Sequence, residues 1–337
     1  MIDDPILIND WHPLCRADAV APGGVIRARL LGEDLVVWRP QSLGAPEHDT
    51  NENGDTVKVW RDLCIHRGAR LSLGRVNDRG LACPYHGWTY DGGGRCVHIP
   101  AHPEQVPPAK AKAQSYRAQE RYGLIWVSLG DPTHDIPPLP EADLPGYQFV
   151  LCGPFGPVHA GAPRIIENFL DVTHFPFVHG GILGDIEKPE ISDYTVEVGP
   201  DGLLAKDVAV YQPDPYGTGE GDMVSYTYRV FRPLTAYLAK ETPKGTRMSI
   251  LFPLTPHDET TTTAWFYMAM STDAGLTDAE INDFNAAILA QDVPIVESQR
   301  PELLPLDLQA ELHLRSDRSA LAYRRWLGEL GISFGTA

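Results

Sequence analysis

Two short loops decide most of what this chain can become. Cys64-Ile-His66 and Cys83-Pro-Tyr-His86, with sixteen residues between them, each offer one thiolate and one imidazole. Four such ligands form a closed set, and a tetrahedral Cys₂His₂ zinc ion is the first structure to weigh. Common zinc modules pair Cys with Cys on one knuckle and His with His on another. A binuclear iron–sulfur centre, in which one iron takes both cysteines and the other both histidines, instead requires each loop to reach both irons. The mixed loops meet that requirement and favour iron–sulfur over zinc. Gly68, Gly74, Gly87 and Pro84 give both loops the tight backbone of a buried cluster, which argues against unligated residues on ordinary β turns.

The rest of the first half reads as the scaffold for those loops. Over residues 25–60 and 81–97 the apolar residues come in short runs such as Leu35-Val36-Val37-Trp38, broken by Gly, Asp and Asn, so a small, turn-rich β domain is expected. Residues 123–129 read as one more strand, and residues 131–145 then carry five prolines, too many for a helix or a central strand. The domain boundary is placed there, giving residues 1–138 and 139–337. Beyond it the sequence predicts a helix over 164–174, strands near 193–198, 226–231, 248–252 and 261–270, and helices over 278–298 and 319–328. Strands followed by a long helix, without β-α alternation, give an α+β class.

Composition narrows the partners. A formal charge of −17 excludes nucleic acid and anionic membrane surfaces as binding targets, because phosphate backbones attract Lys and Arg. The start Met1-Ile-Asp-Asp-Pro5 lacks the basic and apolar regions of a signal peptide, and no stretch reaches the roughly 18 apolar residues of a membrane span, so the cytoplasm is expected. Five cysteines are a poor match to a secreted disulfide framework, and Cys15, Cys96 and Cys152 read as small buried residues.

A cluster alone would make an electron carrier with a non-catalytic second domain. Residues 167–179 offer more. Asn168, Asp171 and His174 are spaced three apart, as along one side of a helix, and His179 follows five residues later. Five residues at helical pitch rotate a side chain by about 140°, so both histidines can meet one metal only if the helix breaks between them, and Pro176 supplies a break. A mononuclear Fe(II) that activates oxygen needs two His, one carboxylate and open positions. In the helix opened by the capping box at Thr277 and Glu280, Asp292 falls on the apolar stripe of Ile281, Phe284, Ile288 and Ile295, whereas Asp283 and Glu297 lie on the wet side. A buried Asp satisfied by a neighbouring Arg or by backbone amides remains the alternative reading of Asp292.

The run Cys64-Ile-His-Arg-Gly-Ala-Arg-Leu-Ser-Leu-Gly74, followed by Cys83-Pro-Tyr-His-Gly-Trp-Thr-Tyr-Asp91, strongly resembles the Rieske domain of the Rieske non-haem iron oxygenases. Asn-x-x-Asp-x-x-His-x₄-His over 168–179, with an acid before Glu297-Ser-Gln-Arg300, looks like their catalytic domain. The resemblance covers nearly the whole chain and is nearest to the monooxygenase and demethylase members. It implies a β-rich [2Fe–2S] domain and a helix-grip catalytic domain, an antiparallel sheet with helices. It also implies that Cys64, His66, Cys83 and His86 hold the cluster, that His174, His179 and Asp292 hold mononuclear Fe(II), and that Asn168 and Asp171 are catalytic. Asp171 would bridge a cluster His of a neighbouring subunit to His174, which implies a homotrimer. NAD(P)H would act only through a separate reductase or ferredoxin, with O₂ and a small organic molecule as substrates. One departure is Gln291, where relatives often carry an acid.

Overall fold

The computed structural model describes residues 2, 4–41, 57–215, 219–241 and 248–337, so part of the run expected over 25–60 lies outside the described residues. The chain forms two compact units, Met1–Ile136 and Pro137–Ala337.

The first unit opens on a single helical turn, α1 (Pro5–Ile8), and its described residues otherwise build β-strands joined by loops and two short 3-10 turns, Ala17–Ala19 and Leu71–Leu73. Six strands, β1 (His12–Arg16), β2 (Val25–Leu30), β3 (Glu33–Trp38), β4 (Lys58–Arg61), β9 (Ser115–Arg121) and β10 (Leu124–Ser128), make one sheet in the order β1-β10-β9-β4-β3-β2. Between β4 and β9 the chain builds a second, four-stranded sheet from β5 (Arg75–Asn77), β6 (Gly80–Ala82), β7 (Thr89–Tyr90) and β8 (Cys96–His98). Trp38, Trp60 and Tyr90 are fully buried and meet edge to face, with centroid distances of 4.9 and 6.4 Å, in the same apolar cluster as Cys64 and Cys83. These aromatics tie the small sheet to the large one and make a rigid floor beneath the two loops.

The second unit is a seven-stranded antiparallel sheet with helices, so the α+β class holds. Strands β12 (Thr195–Gly199), β13 (Gly202–Gln212), β14 (Asp222–Arg232), β15 (Thr235–Glu241), β16 (Met248–Asp258) and β17 (Thr261–Ser271) run as a meander, and β11 (Tyr147–Val158) pairs with β17. In β14, Val224, Tyr226, Tyr228 and Val230 are buried while Ser225 and Arg229 are exposed, the two-residue period of a half-buried strand. Strand β11 was not legible because Gly153-Pro-Phe-Gly-Pro157 interrupts it, and the pairing shifts register at those points. Among the described residues, the α-helices of the unit are α2 (Ala162–Leu170), α3 (Phe175–Val178), α4 (Asp278–Ser298) and α5 (Arg318–Leu330). Among the described residues, no helix is long and apolar enough to cross a membrane.

Two expectations need correction. The helix expected over 164–174 ends at Leu170: Asp171 is extended (φ −89°, ψ 129°), and His174 heads the separate turn α3. Asn168, Asp171 and His174 therefore do not share one helical face. The Asp171 carboxylate accepts from the Thr173 amide at 2.7 Å and from its hydroxyl, and this local turn competes with helix continuation. Pro176 is the second residue of the next helix, in the first turn where its missing N–H is not needed, so it follows the break without causing it. The second correction concerns α4, whose Thr277–Glu280 capping box is present. Its buried positions are Ile281, Asn285 and Val296, whereas Phe284 and Ile295 are nearly half exposed. At about 100° per residue the inward face is turned toward Asn285 and Val296, leaving Phe284 and Ile295 on its edge and Asp292 near its centre.

Candidate functional site

The first unit sets its two ligand loops in the same backbone geometry. The Cys64 amide donates to the Ala69 carbonyl (2.8 Å) and the Gly68 amide to the Cys64 carbonyl (2.9 Å); Cys83 with Trp88 (2.8 Å) and Gly87 with Cys83 (3.1 Å) repeat the pattern. Gly68 and Gly87 stand at φ +71° and +69°, which a side chain rarely adopts, and a Cβ on Gly87 would lie 2.8 Å from Pro100. Each loop thus curls its amides around one cysteine and leaves its histidine at the tip.

The side chains these loops present suit a two-metal centre better than one ion. Both cysteines are buried, with Tyr90 Oη 3.1 Å from Cys64 Sγ. The His66 and His86 rings are 4.7 Å apart, and His66 stacks on Trp88 at 4.3 Å with the planes within 4°. Buried His66 Nδ1 has no hydrogen-bond partner, as a nitrogen aimed at a metal would have none. Burial, with His86 and Arg67 nearby, holds the His66 ring below its ordinary value. Ligands of one tetrahedral zinc ion sit about 3.3–3.8 Å apart. No three of these four donor atoms lie within 4.8 Å of one another.

Among the described residues, one trio does converge that closely: His174, His179 and Asp292. Asp292 Oδ1 is 3.4 Å from His174 Nε2 and 3.1 Å from His179 Nε2, and the two nitrogens are 3.3 Å apart. The α2–α3 break brings both histidines to the inward face of α4. The outer nitrogens are also held. His174 Nδ1 is 3.2 Å from Asp171 Oδ2, and His179 Nδ1 is 2.8 Å from Gln291 Oε1. Asn168 Nδ2 reaches toward Asp292 Oδ1 at 3.5 Å. The structure thus brings together all five residues expected here, Asn168, Asp171, His174, His179 and Asp292, and no Arg pairs with Asp292 among its described partners. It adds Gln291. The sequence signal for Gln291 was its place beside Asp292, where it read only as a departure.

The electrostatics of this trio call for positive charge. Burial works against a charged His174, but Asp171 and Asp292 outweigh it and push the imidazole up to about 9. Burial also opposes ionisation of Asp292 and Asp171, yet their histidine partners hold both carboxyls below the ordinary aspartate value. A divalent cation at the inner nitrogens would satisfy the same carboxylates without a proton, and two His plus one carboxylate is the donor set of non-haem Fe(II) oxygenase sites.

The trio lies in the wall of a cavity of about 120 Å³ whose surface is overwhelmingly apolar. Phe169, Phe252 and Phe266 pack together in its lining: Phe169 stacks on Phe252 at 4.4 Å between centroids, and Phe266 meets Phe252 tilted at 4.9 Å. A cavity of roughly 150 Å³ accommodates benzene, so this one is of single-ring scale.

Comparison with known proteins gives the same picture. Residues 10–117 match the Rieske [2Fe–2S] domain, and residues 158–331 match the vanillate O-demethylase oxygenase C-terminal domain. The chain belongs to the Rieske non-haem iron oxygenases. It is 33% identical over 333 residues to the methylxanthine N1-demethylase NdmA of Pseudomonas putida, covering 95% of this chain and 88% of that one. The solved structure of NdmA superposes with a TM-score of 0.80 at 30% identity, covering 96% and 91% of the two chains. A shorter match, 36% identical over 126 residues, covers 37% of this chain and 19% of the oxidoreductase NdmD of Pseudomonas putida. Membership in an oxygenase family through the second unit sets aside the electron carrier with a non-catalytic second domain. As a Rieske oxygenase the chain carries its electron-transfer and substrate-oxidising parts in one polypeptide.

Proposed function

We propose that this Rieske oxygenase is the terminal component of a monooxygenase that hydroxylates or oxidatively demethylates a small cyclic or heterocyclic substrate. The observation that carries the reading is the His174–His179–Asp292 trio in the wall of a ring-sized apolar cavity. In this reading Cys64, His66, Cys83 and His86 hold the [2Fe–2S] cluster within residues 1–138, and His174, His179 and Asp292 hold mononuclear Fe(II) within residues 139–337. When bound, these groups supply one-electron relay and oxidation at a C–H bond by O₂.

The chain's own residues do the positioning. Asp171 and Gln291 fix the ring orientations of His174 and His179 through their outer nitrogens, and the aromatic wall excludes water and holds the substrate ring. Asn168 steadies Asp292. Electrons come from NAD(P)H through a separate reductase or ferredoxin; the partial match to an oxidoreductase from the same organism as the demethylase supports this.

The working form is a cytoplasmic homotrimer in which the cluster loops of one chain dock beside Asp171 of the next. Support comes from exposed apolar residues on the loops, Ile65, Leu73 and Tyr85, and from Leu312, 90% exposed in the cleft that also contains Asp171. Asp171→Asn tests the bridge. Iron and labile sulfide contents stay at native values while product formation falls by most of its value; unchanged turnover would remove Asp171 from the electron path. The reaction itself is tested with ¹⁸O₂ on a panel of N-methyl and O-methyl rings that includes caffeine. Label in the alcohol product or in released formaldehyde supports the reading, and its absence across the panel with a reducible cluster counts against it.

A further inference from the structure

Behind one residue of the cavity lining, Tyr226, runs a polar chain that no part of the ligand set explains. Lys240, half-buried on β15, donates from Nζ to Gln212 Oε1 at 2.7 Å, and Gln212 Nε2 donates to the Tyr226 hydroxyl at 2.9 Å. Gln212 is 1% exposed and Tyr226 3% exposed. Among the described residues Lys240 has no carboxylate partner; burial alone pushes its ammonium down to about 8, so it is still protonated at neutral pH.

The sense of this chain is fixed by chemistry. An ammonium has donors and no acceptor, so the Gln212 amide must turn its oxygen to Lys240 and its NH₂ to Tyr226. The Tyr226 oxygen is then occupied as an acceptor, and its own O–H proton has no acceptor among the described residues. Tyr228, two residues on along the same face of β14 and 1% exposed, has no hydrogen-bond partner among them either. Both tyrosines line the cavity. Buried hydroxyls are normally paired, so two unaccepted O–H donors in a largely apolar pocket ask for an acceptor from a ligand.

We infer that Lys240 and Gln212 orient Tyr226 as a hydrogen-bond donor into the cavity, and that the substrate is an apolar ring carrying a hydrogen-bond acceptor such as a carbonyl oxygen. This deepens the oxygenase reading and rests on it for the identity of the cavity as the substrate site. Tyr226 touches the substrate; Gln212 and Lys240 are positioning residues that act through it. The acceptor end of the ring is held at the tyrosines.

The test uses the iron-loaded full chain and two volatile probes of the same shape, cyclohexanone and methylenecyclohexane, with free probe read by headspace gas chromatography. Tyr226→Phe lowers cyclohexanone affinity by about three- to tenfold, the worth of one neutral hydrogen bond, and leaves methylenecyclohexane binding unchanged. Gln212→Glu keeps the tyrosine but offers it a carboxylate that accepts from both neighbours. Tyr226 then donates to Glu and no longer to the ligand, and the variant loses cyclohexanone preference as Tyr226→Phe does. An unchanged ratio of the two affinities in Tyr226→Phe overturns the donor role. Loss in Tyr226→Phe with full retention in Gln212→Glu overturns the relay. Native protein that binds neither ring overturns the substrate class. Turnover does not enter the measurement, so an inactive protein that still discriminates the probes would retire the oxygenase reading and leave the relay standing.

Discussion

Replacing Gln291 by Leu removes one hydrogen bond at 2.8 Å from the outer nitrogen of His179 and little else. That bond selects the tautomer whose inner nitrogen faces Asp292, since a ring that donates from Nδ1 keeps Nε2 free as a ligand. Loss of such an outer partner typically weakens metal binding by about 10- to 100-fold, or roughly 1.4–2.7 kcal/mol. The environment selects the lower end. His179 is 1% exposed, but Gln291 lies on the exposed side of α4, where water can reach the vacated position and replace part of the bond. We therefore expect about a tenfold loss of Fe(II) affinity in Gln291→Leu, measured by competition with a coloured chelator, with the visible absorption of the cluster as an internal control. Gln291→Glu puts a carboxylate at the same nitrogen, makes the imidazole more basic, and binds iron at least as tightly as the native chain. Native affinity in Gln291→Leu would refute the orienting role, and weaker binding in Gln291→Glu would refute the basicity argument.

Two further outcomes follow from the same geometry. Cys83→Ser bleaches the visible spectrum of the cluster while the His174–His179–Asp292 site still takes Fe(II); a retained spectrum would refute the cluster ligand set. Arg324→Met uncouples α5 from α2, because the Arg324 guanidinium, 3% exposed, binds Glu167 and Glu311, with Arg164 as the second cation of the group. Breaking a buried pair from one side costs about 3–5 kcal/mol, visible as a drop in the thermal midpoint. Burial raises the Glu311 carboxyl, but Arg164 and Arg324 outweigh it and hold it below the ordinary value of 4.5. Its contribution is therefore fully present above pH 4.5 and lost as the pH falls through the depressed folded value. The stability gap between native and variant narrows below pH 4.5, and a gap independent of pH would contradict this assignment.

The parts of the molecule legible in the sequence were those fixed by local chemistry. The Cys–His loops declare themselves because their spacing and glycines encode the backbone turn directly. The bounds of helix α4 were readable because Thr277 and Glu280 cap its start, although its buried face was not the apolar stripe the sequence suggested. The parts that failed depend on distant partners. Strands β13 and β15 escaped notice, and β11 is broken by two Gly-Pro pairs that only its pairing with β17 rescues. The helix break at Asp171 was placed too late because a single Asp–Thr turn outcompeted a propensity that ran on to His174. Gln291 and Gln212 could not be recognised in advance, since an amide gains its role only from what the fold places beside it. Their partners, His179 and Tyr226, lie 112 and 14 residues away in sequence.

The most direct test of the account counts metal. Iron and labile sulfide are measured per chain in the native protein and in His179→Ala, together with the visible spectrum. A [2Fe–2S] cluster plus one mononuclear iron predicts about three irons and two sulfides in the native chain, and two of each in the variant, with the spectrum unchanged. A variant that keeps the third iron, or loses sulfide along with it, would contradict the separation of the two sites on which the whole reading rests.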